Sequence, residues 1–473
     1  MNAILQDNSA EVREKPPVQA AYFVRGKLVA GDEVVHRSRD LGIDFAAPKI
    51  DLNAVIQPRA ELPPMLDVPI AEIIDFLVET GERLDLDRNA YLQEALELVV
   101  ETNPLPRRIV ENLYRGARLY MSREFLEASI AANFAEPAAL DGWIERTDAH
   151  GQKGAIRAFP PRILHMLAGN SPSGCVNSIA QGALVKAVNL FKMPSSDPFT
   201  TVAVLRTMAD IDPEHPVVHS MSAVYWRGGD ERIERTLYRP QYFDKIAAWG
   251  GGDAINNVIR YLGPGLELVS FNPKTSISMI GSEAFEADAP VDEIAERAAS
   301  DATIFNQDAC VASRFVYVEG DREGIERFCA KLAERLPVDR DTASIKAPLM
   351  PGNVREEIEM LEMTDECRLW GRPDGSGMVI LTDEPVSFHP TGKTVNVVHL
   401  ATLDDAIRYV NVATQTIGVY PDARKAVLRD RCASAGGQRV VRLGSARAHL
   451  LGNPHDAMYP LQRFVHWMSD EAI

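Results

Sequence analysis

The stretch RILHMLAGNSPSGCVNSIAQGALVKAVNLFKMPSSDP, residues 162–198, decides the fold class of this chain. It begins with an apolar run that does not alternate with polar residues, which is typical of a strand buried on both faces of a sheet. Apolar residues then repeat at helical spacing from Val176 to Leu184, and a second apolar run at 188–191 predicts another strand. A strand, a helix and a strand in this order indicate one unit of a parallel sheet.

The same alternation extends outward from this unit. Up to residue 262 the pattern predicts helices over 198–210, 230–239 and 253–262 and strands over 217–226 and 243–249. A second block contains the strands SISMIG (276–281) and SRFVYVEG (313–320), each followed by a helical pattern. Alternation of this kind predicts an α/β fold in which helices cover both faces of a parallel sheet, an architecture that often binds nucleotides.

The flanking segments follow other patterns. Apolar residues spaced as on one helix face run from Ile70 to Leu77, whereas AAYFVRGKLVAG at 20–31 predicts a short hairpin. Residues 142–160 contain two alternating runs around a turn with glycine and predict a protruding hairpin, and 340–380 resembles a loop-rich connection. The predicted segments are a mostly helical N-terminal portion (1–140), the hairpin (141–160), a dinucleotide-binding domain (161–270), a second α/β domain (271–435) and a C-terminal segment (436–473).

Composition and charge narrow the class of protein. The 473 residues include 50 Lys and Arg against 67 Asp and Glu, which gives a formal net charge of −17 and disfavours a nucleic-acid partner. No apolar run approaches the roughly 18–20 residues that span a bilayer. The first residues, MNAILQDNSAEVREK, lack the basic start and apolar core of a signal peptide. We therefore expect a cytoplasmic protein without a membrane span.

The five cysteines predict single thiols. They are odd in number and form no C-x-x-C pair, so neither a disulfide framework nor a metal site is indicated. Cys329 lies on an apolar helix face and fits a buried, inert thiol, which is the more common role of a cysteine. Cys310 ends a helix-like run just before a strand, so its thiol can face a cleft, where a base or a local field would make it a nucleophile.

Three loops are candidates for ligand binding, because ligands of open parallel sheets bind at the carboxyl ends of the strands. The small-residue loop from Ala168 to Gly174 follows one predicted strand, and Lys192 with Ser195 follows the next. The glycine run WGGGD at 249–253 begins a predicted helix, whose N–H groups attract phosphate. Alone, each has a simpler interpretation as a surface lysine or a tight turn.

Taken together, these segments resemble the aldehyde dehydrogenase superfamily. The segments in matching order are AGNSP (168–172), FKMPSSDP (191–198), KIAAWGGGD (245–253), LVSFNPKTS (268–276) and FNQDAC (305–310). Within it the chain is most similar to acyl-CoA reductases of the LuxC type, through AVYWRGGD (223–230), QTIGVYPD (415–422) and PHDAMYPLQRFVHW (454–467). The resemblance covers roughly 150–470. It implies a Rossmann-type cofactor domain, an α/β catalytic domain at 271–435, and a hairpin through which subunits form a homo-oligomer.

The resemblance also implies roles for individual residues. Cys310 matches the catalytic nucleophile, and Asn170 matches the amide that helps to form an oxyanion hole, a donor typically worth roughly 3–4 kcal/mol in the transition state. Ser195 stands where NAD-preferring members often carry a glutamate, so NADPH is expected rather than NADH. The residues expected to bind this coenzyme are Ala168, Gly169, Lys192, Ser195, Gly250, Gly251 and Phe271.

Two departures from the superfamily bear on the reaction. Ser270 replaces the glutamate that activates water in hydrolytic members, so an acyl-cysteine should persist until hydride reaches it. Val386 replaces the glutamate that holds the nicotinamide ribose, and Glu384 is the nearest carboxylate. The implied reaction is NADPH-dependent reduction of an acyl thioester, on coenzyme A or a carrier, to the aldehyde through an acyl-enzyme and a thiohemiacetal. The proton donor is not identified; candidates by residue type are His165, His389, His399 and His455.

Two alternatives stay open at this point. An acyltransferase or thioesterase would use Cys310 without any redox step, and a catalytically silent protein would only bind the cofactor. The reductase hypothesis also makes an acyl-activating enzyme a partner to consider.

Overall fold

The computed structural model describes residues 16–271, 273–286, 289–364 and 367–472. Within these residues, two seven-stranded sheets form the two large α/β units, and two three-stranded sheets accompany them. Each large sheet is parallel except at one edge, as the alternating strands and helices predict.

The N-terminal portion begins with strands and continues with helices. Its strands are β1 (Val18–Gln19), β2 (Tyr22–Val24), β3 (Lys27–Val29), β4 (Glu33–Arg37) and β5 (Asp44–Pro48). Its helices are α1 (Leu52–Val55), α2 (Ile70–Arg83), α3 (Ala90–Thr102), α4 (Arg107–Ala117) and α5 (Arg123–Asn133), with 3-10 turns at Arg118–Met121 and Pro137–Leu140. The predicted hairpin at 20–31 is confirmed as β2 and β3. The helical description of 1–140 thus applies from α1 onward, because Gly26, Gly31 and Gly42, all with positive φ, divide the preceding segment into strands and turns.

The first large sheet follows a hairpin, and the elements of both lie between residues 144 and 271. The hairpin is β6 (Ile144–Thr147) and β7 (Lys153–Phe159), as predicted. The sheet elements are β8 (Arg162–Met166), α6 (Gly174–Leu184), β9 (Val188–Lys192), α7 (Thr200–Ala209), α8 (Pro216–His219), β10 (Met221–Val224), α9 (Glu231–Leu237), β11 (Lys245–Trp249), α10 (Gly252–Ile259) and β12 (Glu267–Phe271). Its strand order is β12-β11-β8-β9-β10-β2-β3. The strand predicted over 217–226 is shorter, because Pro216 begins a helical turn that His215 caps.

The second large sheet contains seven strands, β13 to β19, in the order β15-β16-β17-β14-β13-β18-β19. Its elements are β13 (Thr275–Ile280), α11 (Val291–Ala302), β14 (Ser313–Glu319), α12 (Arg322–Arg335), α13 (Gly352–Glu362), β15 (Arg368–Arg372), β16 (Gly377–Thr382), β17 (Thr394–Leu400), β18 (Thr414–Tyr420), α14 (Lys425–Ser434) and β19 (Arg439–Arg442). Short 3-10 turns occur at Ser282–Ala284, Leu403–Tyr409 and Asp422–Arg424. The connection at 340–380 is therefore more ordered than predicted, since α13, β15 and part of β16 fall within it.

The C-terminal segment is divided between two sheets. Strand β19 pairs with β18, so the second sheet extends beyond the predicted boundary at residue 435. After α15 (Pro460–Phe464), strand β20 (His466–Ala472) pairs along the whole of β7 and completes a three-stranded sheet with the hairpin. The segment between β19 and α15 passes the start of β18, where Asp456 accepts a hydrogen bond from Gln415 at 2.6 Å.

Candidate active site

The segment between α11 and β14, residues 303–312, contains Cys310 and an unusual backbone; we call it the cysteine loop. Phe305, Asn306 and Gln307 adopt left-handed conformations in succession, with φ of 54°, 54° and 75°. Such conformations cost non-glycine residues about 1–3 kcal/mol each and persist only where the surroundings hold them. The loop is therefore strained next to Cys310.

Buried hydrogen bonds hold this strained turn. The Gln307 amide group donates to the Thr394 carbonyl at 2.7 Å and accepts from the Thr394 N–H at 3.0 Å. The buried Arg314 guanidinium donates to the carbonyl oxygens of Gln307 and Pro390, both at 2.6 Å. These bonds anchor Gln307, three residues before Cys310, and so hold the strained turn in place.

Cys310 is exposed to solvent, but neighbouring protein groups partly desolvate its thiol. Desolvation raises the thiol pKa above its ordinary value, and the Asp456 carboxylate acts in the same direction. A hydrogen bond from Gln415 partly opposes them. The main chain is anchored as well, since the Ser276 hydroxyl donates to the Cys310 carbonyl at 2.8 Å. A thiol with a raised pKa needs a base before it can attack.

Asn170 follows a strand of the first sheet and contacts the cysteine loop. It follows β8, and its Nδ2 donates to the Asp308 carbonyl at 2.9 Å, two residues before Cys310. The structure thus brings together the two residues predicted as oxyanion donor and nucleophile. An amide nitrogen carries two hydrogens, so the second N–H remains for a substrate oxygen.

Lys192 ends β9, and Ser195, which follows this strand, contacts a residue from the N-terminal portion. The Lys192 ammonium lies 5.8 Å from the centre of the Tyr225 ring and 5.4 Å from that of Trp226. Burial lowers the Lys192 pKa to about 8. Ser195 Oγ accepts the main-chain N–H of Arg39 at 3.1 Å, and the Arg39 charge also acts on Lys192. The Arg39 guanidinium is exposed and forms an ion pair with Asp40 at 2.9 Å, so it is the Arg39 main chain that contacts Ser195.

The other predicted coenzyme residues line the same edge of the first sheet. Gly169 lies in the half-buried loop that begins at Ala168, and a Cβ on it would fall 2.1 Å from Ser196 Oγ. Gly250 and Gly251 precede α10, and a Cβ on Gly251 would meet no atom within 4 Å. Glycine therefore permits a close contact at one loop and leaves an open helix N-terminus at the other.

Phe271 closes this edge through a ring stack. Its ring lies parallel to that of Trp249, with the centres 3.6 Å apart and an interplanar angle of 2°. Both residues end parallel strands, β12 and β11, and His455 packs edge-on against both rings. The predicted coenzyme residue Phe271 is thus in contact with the C-terminal turn near Cys310.

At the two positions that depart from the superfamily pattern, Ser270 and Val386, the structure has no carboxylate. Ser270 lies on β12, so no carboxylate occupies that position. The Val386 N–H donates to Asn396. Glu384 accepts hydrogen bonds from Arg408 and Tyr409, so its carboxylate is already engaged.

The four histidines differ sharply in their surroundings. His165 is buried, bonds Asn189 at 2.9 Å and has a pKa lowered to about 4 by burial. His399 bonds the Gly320 carbonyl at 3.0 Å on the second sheet. Burial and Arg314 lower the His389 pKa to about 4. His455 is placed beside Asp456, whose charge acts on Cys310.

The remaining cysteines are less suited to catalysis than Cys310. Cys175, Cys329 and Cys432 are buried, and desolvation raises the pKa of each thiol. Cys367 is half-buried and its sulfur approaches the Leu361 carbonyl at 3.5 Å.

Sequence reasoning did not identify several residues around the cleft. Arg39 and Tyr120 come from the N-terminal portion, where no motif marked them, yet Tyr120 interacts electrostatically with Cys310 and Arg39 with Asp308. Gln415 and Asp456 lie within QTIGVYPD and PHDAMYP, which served only as family markers. These two motifs are the sequence signal that could have identified Gln415 and Asp456 as residues of the site.

The described part of the chain lacks a metal-binding cluster and a membrane-spanning helix. No group of three or more His, Cys, Asp or Glu side chains there could hold a metal ion. No helix there is long and apolar enough to cross a membrane.

Comparison with solved structures identifies the fold. Lactaldehyde dehydrogenase from Escherichia coli superposes with a TM-score of 0.72 at 16% sequence identity, over 96% of this chain and 99% of that protein. An NADP-dependent glyceraldehyde-3-phosphate dehydrogenase from Bacillus halodurans C-125, complexed with NADP, gives a TM-score of 0.70 at 14% identity, over 96% of this chain and 99% of that one. The chain has the aldehyde dehydrogenase fold.

Sequence comparison identifies the family. A long-chain acyl-protein thioester reductase of Vibrio harveyi is 30% identical over 418 residues, which is 86% of this chain and 83% of that protein. The family model for acyl-CoA reductase (LuxC) matches residues 65–467. This match starts well before residue 150, so helices α2 to α5 of the N-terminal portion also belong to the family pattern. The chain belongs to the acyl-CoA reductase (LuxC) family of enzymes.

Proposed function

We propose that this enzyme reduces an acyl thioester to an aldehyde with NADPH, through an acyl group bound to Cys310. The observation that carries the proposal is the meeting of Asn170 and the cysteine loop across the cleft. This amide donor from the edge of the first sheet bonds the carbonyl two residues before Cys310, the only exposed thiol among the described residues. A nucleophile and a hydride source would then act on one carbon from opposite sides.

The residues at the sheet edge fit a nicotinamide dinucleotide. The open N-terminus of α10 offers backbone N–H groups to the pyrophosphate. Lys192 and Ser195 offer a charge and a hydroxyl to a ribose 2′-phosphate, and this pair supports NADPH. The exposed Arg39 forms an ion pair with Asp40 and would reach a 2′-phosphate only by exchanging that partner. Asp253 in the first turn of α10 opposes an anion there. When bound, the coenzyme supplies the hydride.

The protein side chains perform the other steps. The Cys310 thiolate attacks the thioester carbon, and the free N–H of Asn170 stabilises the negative charge that develops on oxygen. Ser270 cannot activate water as a carboxylate would, so the acyl-enzyme survives until reduction gives a thiohemiacetal. Collapse of that species releases the aldehyde and restores the Cys310 thiolate.

The acyl donor is proposed from the relatives and the lining of the cleft. The relative from Vibrio harveyi is named for a long-chain acyl-protein thioester. Around the cysteine loop, the half-buried rings of Tyr120, Phe125 and Phe305 pack against the apolar core. We propose that a long acyl chain, delivered as a thioester of coenzyme A or of a partner protein, lies along these rings.

The assembly and location are part of the same proposal. Strand β20 exposes Trp467 and Met468 beside the hairpin β6–β7, whose edge strand is β6. Exposed apolar groups on an open sheet favour pairing with a second copy. A cytoplasmic location fits the free thiols of Cys175, Cys310, Cys329 and Cys432.

The decisive experiment mixes the enzyme with acyl-CoAs of graded length and with NADPH or NADH. We expect consumption of NADPH, release of free thiol and formation of aldehyde in equal amounts. Thiol release without coenzyme consumption would identify an acyltransferase or thioesterase instead. Absence of both, with coenzyme binding retained, would identify a silent binding protein.

A further inference from the structure

The mechanism above lacks a group that moves protons at sulfur, and the turn at residues 455–458 provides a candidate. His455 and Met458 bond each other through both main-chain pairs, at 2.9 and 3.0 Å. Between them, Asp456 and Ala457 have positive φ of 48° and 60°. A tight turn of non-glycine residues in left-handed conformations is strained, and such strain is concentrated at functional sites.

Asp456 connects this turn to the nucleophile. Its side chain is only 4% exposed and accepts the Gln415 amide N–H at 2.6 Å. Gln415 lies beside Cys310, because the main-chain N–H of its neighbour Thr416 donates to Ser276 Oγ, which itself donates to the Cys310 carbonyl. The Gln415 amide lowers the pKa of the Cys310 thiol, whereas the Asp456 charge raises it. The same carboxylate oxygen lies 3.5 Å from His455 Nδ1. One buried carboxylate therefore faces both the thiol and the imidazole.

Two buried polar atoms in this cluster have no hydrogen-bond partner within the described residues. They are His455 Nδ1 and Gln415 Oε1. Buried polar atoms are nearly always paired, and an exception beside a nucleophile indicates a place for a ligand or a transferred proton. The imidazole is fixed in orientation because it packs edge-on against Trp249 and Phe271, at 5.3 and 5.6 Å between ring centres.

Three charged groups and one neutral ring face His455. Asp456 favours its protonated form, whereas Arg439 of β19 and Lys274 before β13 disfavour it, and the neutral His449 ring lies 6.4 Å away. Burial is the largest influence and also lowers the His455 pKa below its ordinary value. The resting imidazole is neutral, which is the state required of a base.

We propose that His455 is the proton carrier of the sulfur chemistry at Cys310. The imidazole takes the thiol proton, and the thiolate forms its bond to the acyl carbon. When the bond from that carbon to the departing thiol breaks, the imidazolium returns the proton to it. Asp456 stabilises the imidazolium between these steps. After hydride transfer and loss of aldehyde, Cys310 recovers one proton from solvent, so the overall reaction consumes one proton per aldehyde. This inference rests on the proposed function.

The test compares His455→Gln with His449→Gln, a neighbouring histidine without a link to Cys310. With acyl-CoA, we expect His455→Gln to slow Cys310 acylation by about 10²–10³-fold, in line with general acid–base catalysis. The loss should shrink with a nitrothiophenyl ester at alkaline pH, because that thiolate leaves without a proton and Cys310 then ionises without a base. His449→Gln should show neither effect.

A second readout needs no acyl substrate. Iodoacetamide alkylates the Cys310 thiolate, so its rate rises with pH. In His455→Gln we expect this rise to occur at a higher pH than in wild type. An equal loss with both thioesters at every pH, or an unshifted alkylation profile, would overturn the proposal. If wild type forms no aldehyde but its alkylation profile depends on His455, the thiol–imidazole pair stands and the proposed reduction fails.

Discussion

The two sides of the cleft are built in different ways. On the coenzyme side, Ala168 to Gly174, Lys192 to Ser195 and Gly250 to Asp253 are three short loops that follow neighbouring parallel strands. The cysteine side is assembled from distant parts of the chain, and most of its members lie more than 100 residues from one another: Tyr120, Cys310, Gln415 and Asp456. A strained, hydrogen-bonded loop holds the nucleophile.

This difference separates binding from chemistry. The coenzyme side consists of loops at one edge of a parallel sheet, so substitutions of Lys192, Ser195 or the glycines there should alter coenzyme affinity alone. Asn170 of the first loop contacts the cysteine loop and therefore belongs with the chemistry. The cysteine side has one thiol at its centre, so substitutions there should alter rates. The following predictions test whether the two sides can be changed independently.

The largest effect is expected for Cys310→Ala. Aldehyde formation should fall by at least about 10⁴-fold, as for the removal of other catalytic nucleophiles. Intact-mass analysis after mixing with acyl-CoA should show no acyl adduct, while the affinity for NADPH is unchanged. Cys175→Ala should still form the adduct, because Cys175 is buried with a raised pKa. An adduct on Cys175 would overturn the assignment of the nucleophile.

Asn170→Ala should reduce kcat by about 10²–10³-fold, the usual loss for one oxyanion donor. Asn112→Ala is the matched control, since Asn112 makes the same kind of bond, to the Asp341 carbonyl at 2.8 Å, away from the site. Steady-state and single-turnover rates measure the effect. A loss confined to KM would contradict the oxyanion role and leave Asn170 as a support for the Asp308 carbonyl.

The sequence predicts the coenzyme side far better than the cysteine side, for a physical reason. Lys192 and Gly250 are recognisable because local strand–loop–helix patterns place them at the sheet edge. Asp456 reaches Cys310 only because β19 joins the second sheet and returns the chain to the site, and no local pattern encodes that path. Arg39 depends in the same way on how β4 and β5 fold back over the first sheet.

A smaller effect is expected on the coenzyme side. Arg39→Gln should weaken NADPH binding about tenfold, or about 1.4 kcal/mol, and leave NADH binding unchanged. Arg37→Gln, on the exposed strand β4 of the same segment, should change neither. Titration of the free enzyme with each coenzyme measures the affinities. Equal losses for NADPH and NADH would show that Arg39 does not contact a 2′-phosphate, and a loss in Cys310 acylation would show that the two sides of the cleft are coupled.

The smallest effect is a pH dependence confined to the coenzyme side. Burial lowers the Lys192 pKa to about 8 in the free enzyme, so its charge is present below pH 8 and is lost above it. A bound 2′-phosphate, whose second pKa is about 6, stabilises the ammonium and raises that pKa. Binding therefore takes up a proton above pH 8, and NADPH affinity should fall there by less than tenfold per pH unit. Lys192→Arg should remove the slope because arginine stays charged. An equal slope for NADH would place the titrating group elsewhere, since NADH has no 2′-phosphate to hold the proton on Lys192.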